Sequence, residues 1–158
     1  ALLQRDGDVV EVDGARPVWM GIASGNYHVV VRHRNHLGTM SAAAIGLGNT
    51  PTTLDLRLPG ISTFGAEGRK TVGSVQVLWE GNVLRDGRVK YTGSTNDRDP
   101  IIMAIGGSTP NSVIAGYRAE DVNLDGLVKY TGAANDRDPI LVNVGPVNPT
   151  DPRVEQLP

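Results

Sequence analysis

The sequence predicts a mostly β chain in two parts. Residues 1–66 read as an antiparallel β-sandwich, and residues 67–158 as a region built on a duplicated unit of loop and short helix. Three observations carry this prediction. Short β-branched or apolar runs alternate with tight-turn dipeptides in the first part. The chain holds 20 Gly and 10 Pro, a frequency that suits many turns and short strands rather than long helices. A segment of the second part recurs after a shift of 39 residues.

The elements follow in order. Asp6-Gly7 between Leu2-Leu3 and Val9-Val10 is a strong short-range hairpin signal. Ala1-Leu2-Leu3-Gln4 reads as the middle of a strand from its first residue, which predicts a sheet lacking an upstream edge strand in a processed product or a piece of a longer protein. Asp13-Gly14 marks a second turn, with Val18-Trp19-Met20 beyond it. Ser24-Gly25-Asn26 precedes the run Tyr27 to Arg34, whose β-branched centre predicts burial on both faces and whose basic end predicts emergence toward solvent. Met40 to Leu47 is apolar and small. Thr52 to Leu58 alternates, with Leu54, Leu56 and Leu58 on one side and Thr53, Asp55 and Arg57 on the other. Five or six such strands suggest an Ig-like sandwich.

The repeat dominates the second part. Val83–Pro110 and Val122–Pro149 are identical at 16 of 28 positions, and the retained residues are chiefly Asp, Asn, Gly, Lys, Tyr and Pro. These are residues of loops more than of cores. In the second copy, Asp121-x-Asn123-x-Asp125-Gly126 has the opening spacing of an EF-hand-like calcium loop. Oxygen side chains at positions 1, 3 and 5 converge when the chain turns tightly, Gly at position 6 permits the turn, and the backbone carbonyl of Leu127 adds an oxygen. The usual acid at position 12 is absent, since Gly132 stands there. An insertion of about four residues then makes Asp136 the expected closing ligand, with Asp138 beside it.

The same stretch reads as a helix start. Asn135 or Asp136 can cap, Asp138 falls in the first turn, Pro139 tolerates an early helical position, and Ile140, Leu141 and Val144 supply an apolar face. Asp136 and Asp138 therefore have a purely capping alternative. The first copy offers fewer charged oxygens: Asn82, Asp86, the Arg88 carbonyl, and Asp97 or Asp99, with Leu84 where the second copy has Asn123. It is expected to bind calcium more weakly than the second, or with a different geometry. The repeated Tyr91 and Tyr130 are expected to pack over the loops rather than to form a ligand platform.

The paired loops resemble dockerin repeats, the duplicated calcium-binding loop–helix modules of secreted bacterial proteins, although the Lys-Tyr-Thr-Gly insertion departs from them. The wider pattern is similar to the C-terminal region of large secreted, hemagglutinin-like bacterial surface proteins. That pattern comprises Asp-Gly-Asp-Val-Val (6–10), Gly-Asn-Tyr (25–27), Val-Arg-His-Arg-Asn-His-Leu-Gly (31–38), both Lys-Tyr-Thr-Gly segments with their Asn-Asp-Arg-Asp-Pro-Ile continuations, and the closing Glu-Gln-Leu-Pro. The resemblance implies an extracellular, cell-surface location, a β-sandwich followed by a dockerin-like calcium module, and no known catalytic activity.

Other function classes find little support. A formal charge of −2, from 15 basic and 17 acidic residues, argues for no nucleic-acid partner. No apolar run is long enough to span a membrane as a helix. With no Cys, thiol nucleophiles and Cys-ligated zinc are excluded, though the compartment is not fixed. His28 and His33 would face opposite sides of a strand, so a shared transition-metal site is disfavoured; Arg32, His33, Arg34, Asn35 and His36 are instead expected to bond loop carbonyls at the end of the sandwich. No Gly-x-Ser-x-Gly elbow occurs, and the expectation is a non-enzyme. What remains is a calcium-stabilised structural module that self-associates head to tail by strand donation, or a binding module for a surface protein or a glycan.

Overall fold

The computed structural model describes residues 1–4, 6–145 and 148–158. It is mostly β, in small antiparallel sheets, with two short helices. The elements are β1 (Leu2–Leu3), β2 (Val9–Val10), β3 (Gly25–Tyr27), β4 (Val30–Val31), β5 (Thr39–Met40), β6 (Ile45–Leu47), β7 (Lys70–Val72), β8 (Val75–Val77), β9 (Arg88–Val89), α1 (Arg98–Ala104), β10 (Val113–Ala115), β11 (Leu127–Lys129), α2 (Arg137–Val144) and β12 (Arg153–Val154). Among the described residues the strands pair two by two: β1–β2, β3–β6, β4–β5, β7–β8, β9–β12 and β10–β11.

The first hairpin forms where Asp6-Gly7 places it. Leu2 faces Val10 and Leu3 faces Val9, with Gly7 at φ 93°, a conformation open to glycine and strained for other residues. Other expected strands are shorter or missing. The Tyr27–Arg34 run splits into the end of β3 at Tyr27 and the two-residue β4, and Val30 is exposed rather than buried on both faces. Its basic end turns inward against the second half. Val18-Trp19-Met20 lies outside the named strands, and Trp19 and Met20 are exposed.

Thr52–Leu58 makes no strand despite its alternation. The Asp55 carboxylate accepts the Arg57 amide at 3.0 Å and grips its guanidinium at 2.9 Å and 3.1 Å, and the Leu58 amide donates to the Asp55 carbonyl. This local turn outcompetes ladder bonds, and Pro51 and Pro59 remove donors at both flanks.

The principal core belongs to the repeat. Val83, Val89, Ile101 and Ile105 from the first copy meet Val122, Val128, Ile140 and Val144 from the second, at matching positions, and Leu37 from the first half joins them. Burying each such side chain contributes roughly 1.5–3 kcal/mol, so this cluster is the main source of stability in the fold.

The copies are joined reciprocally. β10, which follows copy one, pairs with β11 of copy two, setting Ile114 opposite Val128 and Ala115 opposite Leu127. β12, which follows copy two, returns to β9 of copy one, setting Arg153 opposite Val89 and Val154 opposite Arg88. The 39-residue shift carries one register onto the other. Matching bonds flank them: the Gly116 amide donates to the Gly126 carbonyl and the Glu155 amide to the Gly87 carbonyl. Thr131 Oγ1 reaches the Pro110 carbonyl at 3.0 Å, and Thr92 Oγ1 the Pro149 carbonyl at 3.2 Å. The second half is thus a pseudo-two-fold pair.

Candidate metal-binding loops

Each loop bends by left-handed backbone at the same two places. Leu124 (φ 62°) and Gly126 (φ 86°) in copy two match Arg85 (φ 58°) and Gly87 (φ 78°) in copy one. A non-glycine residue there costs about 1–2 kcal/mol, so the loop is held in shape by its side chains. In copy two the Asp125 amide donates to Asn123 Oδ1 and the Leu127 amide to Asp125 Oδ1, both at 2.9 Å, and the Gly126 amide reaches Asp121 Oδ2 at 3.2 Å. These bonds curl Asp121, Asn123 and Asp125 around one turn, with Leu127 opening β11.

Asp136 closes that turn from the helix side. Its Oδ1 accepts the Val122 and Asn123 amides at 2.7 and 3.2 Å, and its Oδ2 accepts the Lys129 amide at 2.8 Å. It is fully buried, and burial raises its carboxyl above the ordinary value, with the charge of Asp121 adding to the effect. Asp121 is also buried. Its Oδ2 faces Arg34 Nη2 at 3.3 Å, while its Oδ1 is buried and has no hydrogen-bond partner. Such an orphan carboxylate oxygen is costly unless a cation meets it.

Asp138 stands apart. Its amide donates to Asn135 Oδ1 at 3.0 Å, and Asn135 Nδ2 returns a bond to Asp138 Oδ2 at 2.8 Å. This reciprocal arrangement caps α2, and Asp138 is largely exposed. Asn96 and Asp99 cap α1 in the same way, at 2.9 and 2.8 Å. The structure therefore brings Asp121, Asn123, Asp125, Leu127 and Asp136 to one loop, and turns Asp138 and Asp99 to the helix caps.

Copy one is poorer in charge. Asn82 Oδ1 accepts the Asp86 amide at 3.1 Å, Asp86 Oδ1 accepts the Arg88 amide at 3.0 Å, and Asp97 accepts the Leu84 and Lys90 amides at 3.0 and 2.8 Å. Leu84 adds no side-chain oxygen. Burial, reinforced by Asp86, pushes the Asp97 carboxyl up to about 6.

The donor set suits a hard cation: carboxylates, an amide oxygen and a main-chain carbonyl. Among the described residues no three His, Asp or Glu side chains form a metal cluster by themselves. An ion in loop two would compete with Lys129 Nζ, now 3.4 Å from Asp125 Oδ2, and with Arg34.

The histidine arm serves these loops from outside. Arg34 Nε donates to the Arg118 carbonyl at 2.8 Å, and Asn35 Nδ2 to the Ala119 and Asp121 carbonyls at 2.9 and 2.6 Å. These are loop carbonyls, but of the second half. The spacing of residues 31–38 held no sign of that reach. His33 Nδ1 and His36 Nδ1 lie 2.8 Å apart, and burial with the neighbouring His33 holds His36 down to about 4. Tyr91 and Tyr130 pack on the core beneath Arg98 and Arg137, at 5.3 and 5.1 Å.

His36 and Asp97 predict opposite pH slopes. His36 titrates below its ordinary value of 6.5, so its share of stability is present above that pH and is lost as pH falls toward about 4. Asp97 titrates above its ordinary value of 3.8, so its share is present below that pH and is lost as pH rises through about 6. The two offset each other in the native chain. In chelator, Asp97→Asn is expected to lose on the order of 3 kcal/mol on acidification from about pH 6.5 to 4, against a smaller change in the native chain, read from urea midpoints. Parallel pH curves for the two proteins would refute the assignment to Asp97.

No family model, curated protein or solved structure matches this chain.

Proposed function

We propose that the chain is a non-catalytic, extracellular calcium-binding structural module of a bacterial surface protein, able to self-associate head to tail by strand donation. The observation that carries the reading is the buried, unpartnered Oδ1 of Asp121, at position 1 of a loop whose other oxygens follow calcium spacing. Ion binding to such a loop becomes folding energy, which suits an exterior module with a small core. On this reading the second half is a dockerin-like module, and the first is an Ig-like sandwich completed by a strand from elsewhere. Leu2, Leu3, Val9 and Trp19 are exposed on the N-terminal hairpin and its continuation, apolar surface that a donated strand would cover. Among the described residues no helix is long and apolar enough to cross a membrane.

Melting curves in calcium and in EDTA, with light scattering on the same samples, test this. At calcium one hundred times its Kd, stabilisation is expected to be about 3 kcal/mol, or roughly 5–10 °C, with large particles forming. Asp125→Ala should lose more of that shift than Asp86→Ala, because loop two has the fuller ligand set. Identical curves in calcium and EDTA would refute ion binding, and monodisperse monomers in calcium would refute strand donation.

One observation favours a second reading, a binding module for a surface protein or glycan. Met103 and Val142, at matching positions on α1 and α2, are 70% and 64% exposed. Stoichiometric capture of one partner by monomers would select it.

A further inference from the structure

We propose that Arg34 is the resident counter-ion and positioning residue of loop two, so that cation loading of the loop and docking of the first half are antagonistic. This rests on the cation reading of loop two. Arg34 reaches Asp121 from the first half, and the pair is enclosed: the Arg34 side chain is 13% exposed and that of Asp121 is 3% exposed. Its guanidinium is oriented on three further sides. Nε donates to the Arg118 carbonyl at 2.8 Å, the Tyr117 ring lies 4.0 Å beneath, and His33 Nε2 is 3.4 Å from Nη1. Arg34 and the Gly126 amide both take Asp121 Oδ2, which leaves Oδ1 as the orphan. Arg34 therefore fixes the carboxylate so that a single oxygen is left for an ion.

The same arm links the first positions of both loops. Asn35 Nδ2 donates to the Asp121 carbonyl at 2.6 Å, and the Asn35 carbonyl accepts the amides of Gly81 and Asn82, both at 2.9 Å. Arg85 Nε grips the Arg34 carbonyl at 3.0 Å. When the loop is empty, the guanidinium supplies the positive charge that a buried carboxylate needs. When a divalent ion takes Oδ1, two cations share one carboxylate at short range and repel. Coupling of this kind is reciprocal: the factor by which Arg34 weakens calcium binding is the factor by which calcium weakens the hold of the arm.

The test is calorimetric titration of calcium chloride into the full chain, Arg34→Gln and Arg34→Lys, with melting curves in EDTA. Arg34→Gln should melt lower than the native chain in EDTA yet bind calcium about fivefold tighter or more, so its calcium-induced shift grows. Arg34→Lys keeps the charge and should bind no tighter than the native chain. A merely structural arginine would lower the EDTA melt and calcium affinity together, and that result overturns the proposal. Amide exchange in the native chain provides an independent reading should a variant fail to fold. Calcium should speed exchange at the Gly81 and Asn82 amides held by Asn35, and slower exchange there would overturn the antagonism. A folded native chain that shows no calcium heat overturns the loop reading itself, an outcome distinct from binding that ignores Arg34.

Discussion

Asp136→Ala is expected to destabilise the chain by about 4 kcal/mol, since three amides that it satisfies lose their acceptor in or beside a buried turn. The effect should persist in EDTA, because the bonds belong to the ion-free fold. A melting temperature lower by ten degrees or so is the readout. Asp138→Ala serves as the control. It removes one exposed partner of a helix cap and should cost about 1 kcal/mol or less. Equal losses in the two variants would show that Asp136 is no more than a cap.

Removal of residues 152–158 is expected to cost at least as much. The segment supplies β12, and with it the pairing of Val89, which is fully buried. Glu155 also accepts the Gly38 amide at 2.6 Å and pairs with Arg32 at 3.0 Å, while Gln156 Oε1 accepts the Glu67 amide at 3.1 Å. The seat is shaped for close approach: a Cβ on Gly65 would collide with the Gln156 side chain. The shortened chain should become sensitive to protease around residues 80–90 at temperatures where the intact chain resists. Undiminished resistance would mean that the segment only rests on the surface.

Much of the second half was legible because its pattern is local and stated twice. The loop turn and the helix start with its buried Ile140 and Val144 can be read from residues 121–144 and their earlier copy, whereas Val83, Val89, Val122 and Val128 sit in loop-like surroundings that hide their place in the core. The capping role of Asp138 was an open alternative, and its two bonds with Asn135 are those of a cap. The first half was legible only in its tightest turns. Alternation in Thr52–Leu58 gave way to the Asp55–Arg57 turn, because a carboxylate two residues from an arginine can satisfy that backbone by itself. The inward path of Arg34, Asn35 and Leu37 depends on partners some 80 residues onward in the chain. A pattern of neighbours does not carry such contacts. Arg34 lacked any ligand-like signal for the same reason.

The crossed pairing of β10 with β11 and of β12 with β9 bears on how the chain is assembled. Each copy borrows the strand that follows the other, so neither can complete its own edge. Two separate single-copy chains would satisfy the same registers by embracing as a symmetric dimer, and the linked molecule is that dimer made within one chain. During synthesis, copy one waits with β9 unpaired until β12 arrives. The repeat should therefore melt and form in a single step, with no half-folded species in which one loop is intact and the other is not.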